Sequence, residues 1–132
     1  MGFLDFLGKK PVRGVLYDLQ AEVHPFRLTA HRNDAVDLDV FIQNTSDQPL
    51  LTSVTVVVPR VLGLDRTGLL QQREVRLGLL QPGEAKTFKA GVYSNQKSAP
   101  GTYSIGLLAS AHYRDYGHLL NQARRKVSVR VE

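Results

Sequence analysis

Gln81-Pro82-Gly83-Glu84 and Ala99-Pro100-Gly101-Thr102 bracket the alternating run Thr87-Phe88-Lys89-Ala90-Gly91-Val92-Tyr93, and the second leads directly into Tyr103-Ser104-Ile105-Gly106-Leu107-Leu108-Ala109. No other feature of this chain limits its fold as strongly. Proline presets the first turn residue and glycine accepts a positive φ, so each Pro-Gly pair reverses the backbone. The runs between have a period of two, which places alternate side chains on opposite faces of a strand. A turn, a short strand, a second turn and a longer strand read as the closing hairpins of a β-sandwich.

The same pattern continues upstream. Val15, Tyr17, Leu19, Ala21 and Val23 share one parity, and Pro25 ends that run. Phe26 to Ala30 resumes it briefly, and Arg32-Asn33-Asp34 turns. From Ala35 to Asn44, Val36, Leu38, Val40 and Ile42 point one way and Asp37, Asp39 and Gln43 the other, with Phe41 alone on the polar side. Asn44-Thr45-Ser46-Asp47-Gln48-Pro49 is a turn cluster before a strand from Leu50 to Val58. Val56-Val57-Val58 is apolar on both faces, which predicts a central strand or one whose outer face is covered. A loop follows, with a short edge strand around Val61 to Leu64, then strands over Arg73 to Leu80, Ala85 to Tyr93, Thr102 to about Tyr116 and Leu119 to Glu132.

No stretch of ten or more residues carries a helical period. The expected fold class is all-β, a sandwich of seven to eight antiparallel strands. A sandwich is preferred to an eight-stranded barrel because strand lengths differ and Pro25, Pro49, Pro59, Pro82 and Pro100 punctuate the connections. The expected core is Val36, Leu38, Val40, Ile42, Val54, Val56, Phe88, Val92, Ile105, Leu107, Val127 and Val129. Tyr103, at the start of the penultimate strand, is expected to tie down the preceding turn through its hydroxyl.

At 132 residues the chain suits one domain, large enough to bury a core without staples. It has no cysteine, which removes disulfides, thiolate metal sites and cysteine nucleophiles together. Residues 1–11 read as a separate leader in which Phe3, Leu4, Phe6 and Leu7 form an apolar stripe ahead of Lys9 and Lys10, and residues 12–132 as the β domain. Such a short helix is marginal alone, so the leader is expected to be mobile or loosely packed. It is too short for an export signal or a membrane span, which points to a cytoplasmic protein able to sit at a membrane surface.

Net charge is +5, unevenly spread: nine Lys and Arg face ten Asp and Glu up to Glu84, and eight face two from Ala85 onward. Lys86, Lys89, Arg124, Arg125, Lys126 and Arg130 are therefore candidates for one basic face, to be weighed against plain solvation of charge. An anionic membrane surface is the partner that face would suit. Nucleic acid is not the expected partner.

His112-Tyr113-Arg114-Asp115-Tyr116-Gly117-His118 is the densest group of chemically capable residues. It reads first as a strand end and turn, with Arg114 paired to a neighbouring carboxylate. Read functionally it is a binding edge, since Tyr and Arg are favoured at interface hot spots. His112, Arg114 and Tyr116 share parity there, and with Phe41 and Val57 they make up the candidate interaction residues. His24, His31, His112 and His118 lack ligand spacing, and Asp37 and Asp39 alternate with Val36, Leu38 and Val40 as a solvent face, so no metal is expected. No serine lies in a Gly-x-Ser-x-Gly elbow and no glycine-rich phosphate loop occurs, so neither catalytic residues nor a cofactor are expected.

The order Val-Asp-Leu-Asp-Val-Phe-Ile-Gln-Asn-Thr-Ser-Asp-Gln-Pro-Leu, Val-Thr-Val-Val-Val-Pro, Leu-Gln-Pro-Gly-Glu and Pro-Gly-Thr-Tyr-Ser-Ile, between Asp34 and Glu132, resembles the immunoglobulin-like and fibronectin-like modules of prokaryotic proteins, including the adhesion-related CARDB type. The resemblance implies an immunoglobulin-like β-sandwich and a non-catalytic spacer or binding role, usually within a larger secreted chain. It carries over no functional residue. The function expected is a protein-binding adaptor or assembly domain with an unidentified protein partner. The alternative is association with an anionic membrane or polyanion through the leader and basic face. Carbohydrate binding or catalysis ranks lowest, because the chain has no tryptophan and no paired carboxylate cleft is apparent.

Overall fold

Strands form where the alternation is. The computed structural model describes residues 16–25, 27–30 and 34–132. The leader, Val15, Phe26, His31 and the Arg32-Asn33 turn lie outside the described residues. Among the described residues there are nine strands: β1 (Tyr17–His24), β2 (Arg27–Leu28), β3 (Ala35–Asn44), β4 (Leu50–Val57), β5 (Leu62–Gly63), β6 (Gln72–Leu80), β7 (Ala85–Ser94), β8 (Gly101–His112) and β9 (Leu119–Val131). Among the described residues there is no helix. The two short strands, β2 and β5, fall where the sequence shows a brief resumption and a short edge.

The strands make two sheets, β1-β3-β7-β5 and β2-β9-β8-β4-β6. Among the described residues, successive strands from β1 through β8 alternate between the two sheets, and only β8 and β9 form a hairpin. This corrects the reading of the Pro-Gly turns. They are arches between sheets, because local turn chemistry fixes the reversal but not the strand that the reversed segment will pair with. One pairing is also not antiparallel: β2 runs parallel to β9, with Arg27 beside Arg130 and Leu28 beside Val131. Ala30 and Glu132 extend that closure, each donating an amide at 2.8 Å, to the carbonyls of Glu132 and Leu28 respectively.

Val36, Leu38, Val40, Ile42, Val54, Val56, Val92, Ile105, Leu107 and Val129 are each at most 2 % exposed and belong to one apolar cluster. Each such burial stabilises by roughly 1.5–3 kcal/mol, and slipping a strand by one residue would expose its whole set. Phe88 and Val127 are only half-buried and pack against this cluster rather than lying inside it. β4 is central, between β8 and β6, which accounts for Val57 being partly covered on the outer side.

Polar ties cross the core at one end. Thr52 Oγ1 gives its proton to the Leu50 carbonyl at 2.9 Å, so the buried Tyr17 hydroxyl is the donor to Thr52 at 2.8 Å, and burial pushes the Tyr17 pKa up. Asn44 Nδ2 donates to the carbonyls of Gln48 (2.7 Å) and Leu80 (2.9 Å), while its Oδ1 accepts from the Ser46 amide and hydroxyl. Lys86 reaches from β7 to the Leu77 carbonyl on β6 at 2.9 Å. Tyr103 donates its hydroxyl to the Ala99 carbonyl at 2.8 Å, tying down the arch before β8 as its position suggests.

Candidate interaction surface

The outer face of the five-stranded sheet is shaped by one bulge and one loop. Between β4 and β6 the register shifts at Thr52/Ser53, so Thr52 opposes Gly78, Ser53 opposes Arg76, and Leu77 is left out of the ladder. β8 stops at His112, earlier than its alternation suggests, because the next residues close on themselves. Tyr113 donates its amide to the His118 carbonyl at 2.7 Å and receives the Asp115 amide at 2.8 Å. Asp115 Oδ1 accepts from the Gly117 amide and lies 2.8 Å from His118 Nδ1, and those bonds, led by His118, hold its carboxyl below the usual range. Arg114 takes the left-handed φ of 69° that this turn needs.

That loop folds back over the sheet. The Tyr116 hydroxyl accepts the Gly78 amide at 2.9 Å, so its ring spans β4 to reach β6. The ring meets His112 edge-on at 5.1 Å and lies 4.6 Å from the Arg76 guanidinium. His112 is thereby buried, with its Nε2 2.8 Å from Ser53 Oγ. A serine and a histidine at this distance are two parts of a nucleophilic relay. Here the third part is missing: His112 Nδ1 is buried without a hydrogen-bond partner, and Ser53 is 1 % exposed beneath the tyrosine. The pair was not legible in the sequence, where Ser53 is one of several unremarkable serines.

Around this plug stands an apolar rim. Register places Leu79, Leu51, His112 and Leu119 in one row across β6, β4, β8 and β9. Leu79 (53 %), Tyr113 (52 %), Leu119 (56 %) and Leu120 (59 %) are exposed. Leu119-Leu120 immediately after a turn, where alternation lapses, is the sequence signal that could have flagged it.

The expected interaction residues are only partly brought together. His112 and Tyr116 stack, and Arg114 lies in the same loop but over the Tyr113 ring at 5.1 Å instead of against a carboxylate. Val57 is on the same sheet at the other end, paired with Gly106 and Gln72. Phe41 belongs to the other sheet, where it lines an open recess of about 800 Å3 with Gln20, Asp39, Thr87, Lys89 and Arg125.

The basic residues do not form one face. Lys86 and Lys89 are on β7 and the other four on β9, in different sheets. Lys86 is spent on the Leu77 carbonyl, Lys89 lies 3.5 Å from Asp39, and Arg130 lies 3.8 Å from Glu132. Arg125 has the parity of Val127, Val129 and Val131, so it leaves β9 on the side opposite Arg124 and Lys126. Three consecutive basic residues on a strand cannot share a face. Among the described residues no group of three His, Asp or Glu could hold a metal, and no helix is long and apolar enough to cross a membrane.

No protein-family model matches the chain, and no curated protein matches it. Solved structures do. The C-terminal portion of Escherichia coli alpha-2-macroglobulin superposes with a TM-score of 0.59 at 20% identity, over 87% of this chain and 16% of that one. A FixG-related protein from Vibrio parahaemolyticus superposes at 0.57 and 9% identity, over 90% of this chain and 99% of that one. AvmM, which catalyses macrocyclization in alchivemycin A biosynthesis, does so at 0.59 and 11% identity, over 87% of each. The chain is an immunoglobulin-like β-sandwich.

Proposed function

We propose that the chain is a non-catalytic interaction module that binds a protein partner through the outer face of its five-stranded sheet, at the β8–β9 loop. One observation carries this reading: Leu79, Tyr113, Leu119 and Leu120 are all exposed around a loop held rigid by Tyr116. Clustered apolar side chains with an aromatic, mounted on a fixed frame, are what a docking surface needs. The macroglobulin modules and the CARDB-like pattern support the same role by fold alone. The test is retention from native lysate on the immobilised chain at about 0.5 M salt, where exposed ionic attraction is screened. A partner should be held by the wild type and lost by a folded Leu119→Glu, Leu120→Glu variant. Retention indifferent to those changes would refute the surface.

A second reading keeps the anionic partner, on a smaller scale. Arg124 and Lys126 share the outer face of β9, and among the described residues no carboxylate pairs with either. With two such charges the attraction is weak and salt-sensitive.

A further inference from the structure

An edge strand presents a row of unpaired backbone donors and acceptors, and native proteins usually blunt it. Among the described residues four strands are edges: β1, β5, β2 and β6. β2 and β5 have two residues each, and β1 lies against β9. β6, nine residues from Gln72 to Leu80, pairs only with β4 among the described residues.

Its hydrogen-bonding phase is fixed. The Val58 amide donates to the Gln71 carbonyl at 2.9 Å, so the bonded positions toward β4 fall at 71, 73 and 75. The N–H and C=O groups of Gln72, Glu74 and Arg76 then face the open side. Beyond Arg76 the edge is blunted, since Leu77 is bulged with its carbonyl held by Lys86 and the Gly78 amide is held by Tyr116. From Gln72 to Arg76 it is open: Gln72, Arg73, Glu74 and Arg76 are exposed and Val75 is half-buried.

Charge selects the occupant. Glu74 and Arg76 stand on the same outer face, two residues apart. In an antiparallel copy about a two-fold axis at Val75, Glu74 opposes the partner's Arg76 and Arg76 opposes the partner's Glu74. The open backbone groups of positions 74 and 76 are then matched as hydrogen-bonded pairs, and Val75 meets the partner's Val75. Moving the axis to Glu74 opposes two carboxylates, and moving it to Arg76 opposes two guanidinium groups. We infer that two copies of this chain associate through β6 in the register centred on Val75, joining their five-stranded sheets into one continuous sheet. Within a single copy Arg76 Nε already lies 3.1 Å from Glu74 Oε1. Pairing therefore exchanges an ion pair rather than creating one: the charges set the register, and the backbone ladder supplies the attraction.

Sedimentation velocity on the full chain from about 1 μM to about 1 mM tests it, a span that brackets weak edge association. A concentration-dependent dimer is expected. Glu74→Arg and Arg76→Glu should each weaken it roughly tenfold, since each sets like charges opposite one another twice. The double exchange should restore it. Because the chain has no cysteine, Val75→Cys adds a single thiol. Opposed non-bonded positions have Cα atoms about 4.5 Å apart, within disulfide reach. Val75→Cys should therefore oxidise to a covalent dimer where Gln20→Cys, on β1, does not. Circular dichroism checks that each variant is folded. A chain monomeric at every concentration overturns the inference, including the case in which slow exchange at the Glu74 and Arg76 amides shows the edge covered by some other part of the chain. A dimer indifferent to both single charge changes overturns it too.

Discussion

Ser53 Oγ and His112 Nε2 lie 2.8 Å apart and stitch β4 to β8 beneath the ring of Tyr116. His112 has no other hydrogen bond from its ring, since Nδ1 is already unpartnered. Ser53→Ala would strip the second nitrogen of its partner as well. Leaving a buried polar atom unsatisfied costs about 1–3 kcal/mol, and that loss should appear as a lower urea midpoint with an unchanged slope.

Asn44 uses both ends of its amide, donating to Gln48 and Leu80 and accepting from Ser46. Asn44→Asp is nearly isosteric but cannot donate, so at neutral pH it sets a carboxylate against two carbonyls at a fully buried site. It should cost more than Asn44→Ala, itself expected at about 2 kcal/mol from the carbonyls and amide left bare. Equal melting temperatures for the two variants would show that water enters to serve the turn.

Two glycines should respond differently to alanine. A Cβ on Gly63 would sit 2.1 Å from the backbone carbon of Gly68, which cannot step aside without reshaping the 65–70 loop. Gly83 has φ 81° but open space around the missing Cβ. Gly63→Ala should cost about 3 kcal/mol or fail to fold, whereas Gly83→Ala should cost roughly 1 kcal/mol, the left-handed conformational penalty alone. Thermal denaturation of the two variants checks the order.

The 65–70 loop should also loosen in acid. Asp65 Oδ1 accepts from the Thr67 hydroxyl and from the amides of Leu69 and Leu70, and these bonds, Thr67 foremost, hold its pKa below the ordinary 3.8. A depressed carboxyl stabilises the fold above its unfolded pKa and loses that contribution as pH falls through the folded one. The Leu69 and Leu70 amide resonances should therefore stay put down to about pH 4 and shift only below it. Movement centred at or above 3.8 would contradict the bonding.

On anionic vesicles, Arg124→Gln with Lys126→Gln should remove whatever retention the wild type shows at low salt. Arg125→Gln, on the opposite side of β9, should leave it intact. All three changes should leave the melting temperature nearly unaltered, because exposed charges contribute little to stability. Equal effects from Arg125→Gln would mean that net charge, not a face, does the binding.

Much of the architecture was legible because burial has a period. The runs from Val36 to Ile42 and from Ile105 to Leu107 state their own orientation, and even the two-residue strands left a trace. Strand partners were not legible. Whether Ala85 follows Leu80 across the same sheet or into the other depends on which faces the rest of the chain needs covered, a decision taken among residues far apart in sequence. The surface failed for a related reason. Alternation carried through Tyr113 to Tyr116 treats them as extended, and it takes Arg114 at positive φ and the Gly78 amide waiting on β6 to swing Tyr116 over His112. Composition groups the basic residues, whereas parity separates Arg125 from its neighbours.

The parallel closure of β2 on β9 carries a kinetic consequence. Arg27 and Arg130 are about a hundred positions apart, so their pairing closes a very long loop and gains only a short ladder in return. It should form after the rest of the sandwich has brought its two sides together, and open before anything else does. In hydrogen exchange the amides of Ala30 and Glu132 should thus lose protection by local opening at rates far above those of Leu38 or Ile105, which wait for global unfolding.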